Sequence, residues 1–191
     1  MAKVYQANEI KNIALMGGSG SGKTTLMESM LFECGVIKRR GSVETQSTVC
    51  DYFPVEKEYG YSVFSTVFYA EFLYKKLNVI DCPGSDDFVG NAVTALKVTD
   101  TGVILIDGQY GVEVGTQNIF RTCEQLKKPI IFAINQLDGE KADFDNSLLQ
   151  LKEHYGSKVV PIQFPINCGP SFNSMIDVLL MKQYTWGPDG G

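Results

Sequence analysis

Residues Gly17-Gly18-Ser19-Gly20-Ser21-Gly22-Lys23-Thr24 stand directly behind the apolar run Ile13-Ala14-Leu15-Met16 and just ahead of the helix-like Leu26-Met27-Glu28-Ser29-Met30-Leu31. A strand that stops at Gly17 and a helix that starts near Lys23 leave a glycine-rich turn whose backbone N–H groups point inward at one anion. Glycine is needed there because a Cβ would block both the positive φ angles and the close approach of an oxygen. Lys23 supplies a point charge for terminal phosphates, and the Thr24 hydroxyl a ligand for Mg2+. A flexible Gly/Ser linker would not carry Gly-Lys-Thr followed by an apolar helix. The segment from Gly17 to Thr25 therefore reads as a phosphate-binding P-loop.

The 191 residues, 44% hydrophobic and 20% charged, suffice for one compact domain with a substantial core and the beginning of a second piece. Five cysteines, Cys34, Cys50, Cys82, Cys123 and Cys168, are odd in number, scattered and never in C-x-x-C spacing. That argues against a disulfide framework and a zinc site, and for small buried thiols of a reducing cytoplasm. No basic segment precedes an apolar one at the amino terminus, and the longest apolar runs fall far short of a membrane span, so neither export nor a membrane partner is expected. A net charge of −5 disfavours unaided nucleic-acid binding, DNA included, because phosphate contacts need clustered Lys and Arg. Lys38-Arg39-Arg40, the only basic cluster, reads as a solvated loop.

Periodicity alternates strand and helix. A strand is expected near 10–16 and a helix over 23–34, then a long polar loop from Gly35 to Gly60, a length that usually signals function. The β-branched and aromatic run Tyr61–Phe72 and the strand Leu77-Asn78-Val79-Ile80 form an expected hairpin. There follow a helix from about Phe88 to Lys97, the buried strand 102–106, a helix near 116–127, the strand 130–134 and a helix over 144–155. A last short strand, Val159-Val160-Pro161-Ile162, leads to a Gly/Pro-bearing tail. Apolar strands alternating with helices predict an α/β fold, a mostly parallel sheet with helices on both faces, whose ligand sits at the carboxyl ends of the strands.

Two further motifs fall at such ends. Asp81-Cys82-Pro83-Gly84 follows the strand ending at Ile80; Asp81 can hold magnesium through water, and Gly84 lets its backbone N–H reach a γ-phosphate. Asn135-Gln136-Leu137-Asp138 follows the strand ending at Ile134. A carboxylate at Asp138 accepts both the ring N–H and the exocyclic amino group of guanine, a pair that adenine does not offer. Either motif alone is a weak signal that an ordinary turn would satisfy.

In this order, G-x-x-x-x-G-K-T, D-x-P-G and N-x-x-D are the signature of a G domain of the P-loop NTPase fold. Over nearly all 191 residues the chain resembles the amino-terminal part of translation elongation factor G, a ribosomal GTPase. Lys11-Asn12-Ile13, Glu58-Tyr59-Gly60, Asn78 to Gly84, Gly111-Val112-Glu113, Ala142-Asp143-Phe144, Val160-Pro161-Ile162-Gln163, Ile176-Asp177 and Met181-Lys182 carry the likeness. It implies GTP/GDP and Mg2+ as ligands, the ribosome as partner of the full-length protein, and a cytoplasmic monomer. It makes 36–62 the first switch loop and 81 to about 100 the second. It also divides the chain into a GTP-binding domain, 1–164, that lacks its last strand and helix, and the truncated start of an inserted subdomain, 165–191. Because the family's guanine-contacting Ser-Ala loop is expected further downstream, the resemblance also implies that the chain is a fragment.

The departures from that family cluster at the chemistry. Ser85 stands where family members carry the histidine that orients the attacking water, Ser19 and Gly20 replace Ile and Asp, Tyr59-Gly60-Tyr61-Ser62 replaces R-G-I-T, and Gln136 replaces the lysine of N-K-x-D. Ser62 still offers a hydroxyl to magnesium. His154, the only histidine, is expected at a helix C-terminus as a dipole cap rather than a substitute. The catalytic set is therefore Lys23, Gly84 and Ser85, and losing the water-orienting group costs roughly 10² to 10⁴ in rate. The resemblance thus implies a factor that grips GTP and hydrolyses it weakly or not at all. A fully active translocation GTPase, a tetracycline-resistance ribosomal-protection GTPase, a P-loop ATPase or small-molecule kinase, and a ribosome-binding module with a vestigial pocket are the rival readings.

Overall fold

The structure, a computed structural model, describes residues 3–51, 53–59, 61–85 and 89–187. Phe88, where the third helix is expected to start, Gly60 of the first switch, residues 86–88 of the second and the tail 188–191 lie outside the described residues. Contacts divide the chain into one unit of residues 1–105 and 114–133 and another of 106–113 and 134–191.

The first unit is built on β1 (Ile10–Gly17), β2 (Thr66–Phe72), β3 (Lys75–Asp81) and most of β4 (Thr101–Asp107) and β5 (Ile130–Asn135), in the sheet order β2-β3-β1-β4-β5. In this sheet β1 is parallel to β3 and β4, and the hairpin β2–β3 is antiparallel. Side chains alternate across β1 as the pleat requires. Ala14 and Met16 face one layer, with Ile104 and Cys82 against Ala92, Ala95 and Leu96 of α3 (Val89–Val98) and Cys123 of α4 (Val114–Gln125). Leu15 faces the other, with Val79 and Leu105 against Met27 and Leu31 of α1 (Lys23–Glu33). Each buried Leu, Ile, Val or Met among these contributes about 1.5–3 kcal/mol on burial, the alanines and cysteines less. The expected α/β sheet covered on both faces is what the chain forms.

Register positions the site. Leu15 lies level with Asp81 and Gly17 with Leu105, and the Cys82 N–H extends the ladder to Leu15 O at 3.0 Å. The end of β3 is thereby held beside the end of β1.

The long loop is more ordered than its composition suggests, since it contains the short helix α2 (Pro54–Tyr59). The β-rich run from Tyr61 yields a strand only from Thr66, because the backbone N–H groups of Val63 and Phe64 go to Glu56 and not to a ladder. Three of the five thiols, Cys50, Cys82 and Cys123, are buried as expected; Cys34 and Cys168 are partly exposed.

In the second unit, α5 (Phe144–Tyr155) starts at Asp143, whose side chain accepts from Asn146 N at 2.9 Å, and stops at Gly156 with φ 72°. Lys152 and His154 occupy its last turn, the favourable end for cations. The expected strand 159–162 does not form. Pro161 has no N–H to give a ladder, Val160 is 71% exposed, and the strand falls instead at β6 (Gln163–Pro165). β6 pairs antiparallel with β7 (Ser174–Asp177), which pairs with β8 (Lys182–Thr185). Among the described residues no helix is long and apolar enough to cross a membrane.

Candidate nucleotide site

At the end of β1 the chain turns through Gly17 (φ 142°), Gly20 (φ 79°) and Gly22 (φ 90°), angles at which a side chain is strained. Ser19 and Gly20 are exposed, Gly18 and Gly22 half-buried, and Ser21 buried, with its N–H closing on Gly18 O at 3.3 Å. Gly22, left-handed, caps α1 without a side chain, so the first-turn N–H groups face the loop.

Lys23, the first residue of α1, is 7% exposed and its Nζ donates to Gly17 O at 3.0 Å and Gly18 O at 2.7 Å. Burial lowers its pKa; Asp81, Cys82 and Asp51 oppose that. Asp81, 4% exposed, takes Thr24 Oγ1 on Oδ2 at 3.5 Å, while its buried Oδ1 has no hydrogen-bond partner among the described residues. Burial pushes its carboxyl up to about 7, with Lys23 pulling the other way and Asp51 adding to the rise. A buried carboxylate oxygen without a donor, next to a threonine hydroxyl, fits a hard cation. Among the described residues no three His, Cys, Asp or Glu gather into a metal cage. Thr25, next along α1, is exposed.

Gly84 packs onto this loop. A Cβ there would lie 2.5 Å from Lys23 Nζ and 2.8 Å from Gly18 O and Ser19 N. Ser85, after it, is half-buried. P-loop, Asp81 and Gly84 are thus brought together within the first unit. Ser62 Oγ donates to Asp51 Oδ1 at 2.6 Å.

Three carboxylates that the sequence reading did not single out order the long loop. Glu28 accepts from Gly41, Val49 and Cys50; Asp51 from Ser62 and Thr48; Glu56 from Phe53, Val63 and Phe64. The one local signal was Glu28, an acid on the same helical stripe as Met27 and Leu31. The Cys50 and Cys82 thiols beside these groups are both raised by burial, the latter to about 12.

The third motif belongs to the second unit. Asn135 ends β5 and its carbonyl accepts from Gly108 N at 2.8 Å; Leu137, buried, has its carbonyl bonded by Gly169 N at 2.7 Å. A Cβ on Gly108 would stand 2.9 Å from both Asn135 O and Leu137 Cδ2, so that position needs glycine. Gln136 takes φ 58° and, like Asp138, is exposed, while Gly139 N closes the turn on Gln136 O at 3.2 Å.

A P-loop at the end of β1 and an aspartate at the end of the parallel β3, on a sheet covered by helices, define a P-loop NTPase. Residues 8–184 match the family described as the elongation factor Tu GTP binding domain. The chain is 34% identical over 180 residues to an elongation factor G-like protein of Thermotoga maritima and 33% identical over 184 residues to elongation factor G of Mycoplasma genitalium. These alignments cover 94% and 96% of this chain but 26% and 27% of the relatives. A solved crystal structure from Thermus thermophilus superposes with a TM-score of 0.88 at 33% identity, over 94% of this chain and 27% of that one. The chain belongs to the elongation factor Tu GTP binding domain family and spans about a quarter of the length of the curated relatives it matches.

Proposed function

We propose that this chain is the GTP-binding domain of a ribosomal elongation factor that promotes translocation while hydrolysing GTP weakly or not at all. The supporting observation is the contrast between an intact grip and an altered cutting group. Lys23, Thr24, Asp81 and Gly84 converge on the P-loop, whereas the residue after Gly84 is Ser85, too short to orient water as a histidine at that position does.

In this reading Gly17 to Thr25 cradle the phosphates, Lys23 neutralises the terminal ones, and Asn135, Gln136 and Asp138 take the base. Thr24 and Asp81 would hold Mg2+, with Ser62 joining when its hydroxyl leaves Asp51. When bound, the ion neutralises charge on the phosphate oxygens. Gly84 offers its N–H to a third phosphate, which GDP lacks, and so couples the second switch to the nucleotide state. We read residues 1–164 as the GTP-binding domain and 165–191 as part of a separate subdomain. The partner is the ribosome, the compartment the cytoplasm, and the working form a monomer.

The test is ribosome-stimulated phosphate release by the full-length protein beside its Ser85→His variant. The expected result is wild-type turnover on the order of 10² to 10⁴ below that of an ordinary elongation factor, with partial recovery in the variant. Wild-type turnover at the ordinary rate overturns the reading.

A further inference from the structure

Glu28 sits one and a half turns into α1, about 7.5 Å along the axis from Lys23. It is 1% exposed. None of its hydrogen bonds goes to the P-loop: Oε2 accepts from Gly41 N at 3.0 Å, and Oε1 from Val49 N at 2.5 Å and Cys50 N at 3.2 Å. These donors bracket a segment that closes on itself. Ser47 N donates to Ser42 O at 3.1 Å, Ser42 N to Ser47 Oγ at 3.0 Å, and Gln46 N to Val43 O at 3.0 Å. Gly41 is wedged against it, since a Cβ there would lie 2.5 Å from Ser47 O and 2.6 Å from Thr48 Cα. Residues 41–50 thus form a small closed tab fastened to α1 by one carboxylate through charge-assisted hydrogen bonds, the stronger kind.

Beyond Cys50 the partners change. Asp51 takes Ser62 at 2.6 Å and acts electrostatically on both Lys23 and Asp81. Glu56 takes Phe53 N at 3.3 Å, Val63 N at 3.0 Å and Phe64 N at 3.1 Å. The two sets meet at Cys50, whose N–H is held by Glu28 while its thiol feels Asp81, and Asp51 also takes Thr48 Oγ1 at 3.5 Å across that joint.

We propose that Glu28 is a positioning residue that divides the first switch loop in two. Residues 41–50 stay docked on α1 in every nucleotide state, and the response to nucleotide is left to the described residues from Asp51 to Ser62, together with the Val63 and Phe64 amides just beyond the loop that Glu56 holds. This rests on the reading of 36–62 as a nucleotide-sensing loop.

Amide hydrogen exchange on the full-length protein tests it, in three states: stripped with EDTA, with GDP and Mg2+, and with a non-hydrolysable GTP analogue and Mg2+. In the wild type, the amides of Gly41, Val49 and Cys50 are expected to keep the same protection in all three states, while those of Val63 and Phe64 differ between them. Glu28→Gln, of nearly the same shape, places an amide against three N–H donors. It is expected to speed exchange across 41–50 by on the order of ten- to a hundredfold, with the amides of β1 and β3 unchanged. Parallel acceleration in β1 and β3 would mark a general stabiliser and overturn the proposal, as would wild-type protection of 41, 49 and 50 that depends on the nucleotide. If Glu28→Gln does not fold, the three wild-type states decide alone. Failure of either nucleotide to bind would sink the functional reading instead; the tab is then judged in the stripped wild type, where rapid exchange at those amides overturns it.

Discussion

At Gly84 a single hydrogen atom lets the segment after β3 lie against the P-loop, because any Cβ would meet Lys23 Nζ and two backbone atoms at 2.5–2.8 Å. Gly84→Ala is therefore expected to push the two apart at an overpacking cost of about 1–3 kcal/mol. Isothermal titration should show GTP weakened by about tenfold or more and GDP much less, since only GTP places a phosphate under that N–H; equal losses would count against the assignment. Asp138 carries a complementary prediction. In Asp138→Asn one acceptor becomes a donor, which suits the C2 carbonyl of xanthine and not the amino group of guanine. GDP affinity should fall by at least about a hundredfold while xanthosine diphosphate gains, and unchanged GDP binding would remove Asp138 from the base site. Residues such as these were legible in the sequence because each meets a local demand: positive φ, a missing Cβ, a charge at a helix start. Glu28, Asp51 and Glu56 were not. The donors to Glu28 are backbone N–H groups 13 to 22 positions away, and nothing in their side chains advertises the partnership.

Among elements, the clearest lesson is at the start of β2. Tyr61, Val63 and Phe64 have strand-forming side chains, yet Glu56 captures two of their N–H groups and delays the ladder to Thr66. Propensity describes side chains, whereas a ladder needs free backbone donors. Glu56→Ala should leave three donors without this acceptor and cost about 1–3 kcal/mol; a urea midpoint equal to wild type would show that water replaces the carboxylate freely. The misplaced strand at 159–162 has a similar cause, for an apolar run around Pro161 reads as a strand locally while β7 selects Gln163–Pro165 as its partner from ten to fourteen residues further along. In that sheet Asp177 accepts from Gln163 Nε2 at 2.9 Å and Leu180 N at 2.8 Å, and these bonds lower its pKa below the usual 3.8. A depressed carboxylate contributes stability that is present above its unfolded pKa and is lost as pH falls through the folded one. The stability difference between wild type and Asp177→Asn, followed through the amides of β6–β8, should therefore be constant above about pH 5 and close below 3.8. A gap that persists in acid would refute the role given to ionised Asp177.

For the molecule as a whole, the fold class was legible because long alternating strands and helices leave few topologies. The partition into contact units was not, since its boundaries run inside β4 and β5, where composition does not change. A chain that binds guanine nucleotide with Mg2+ should be stabilised by mass action: about 2.7 kcal/mol at a hundred times Kd, or a rise in Tm of about 5–10 °C for this length. The rise should appear with GDP, vanish with EDTA and be absent with ATP; an equal rise with ATP would overturn the guanine assignment. The buried sulfurs lend themselves to a different use. Cys50 lies at the joint between the docked tab and the rest of the first switch, closed off from solvent and with its thiol raised by burial and by Glu28, while Cys34 and Cys168 are partly open. A thiol reagent should consume those two first and reach Cys50 only when the tab lifts, so the lag before Cys50 itself reacts is a built-in stopwatch for undocking of the tab, expected to run alike with and without nucleotide and readable by peptide mass spectrometry with no label added to the chain.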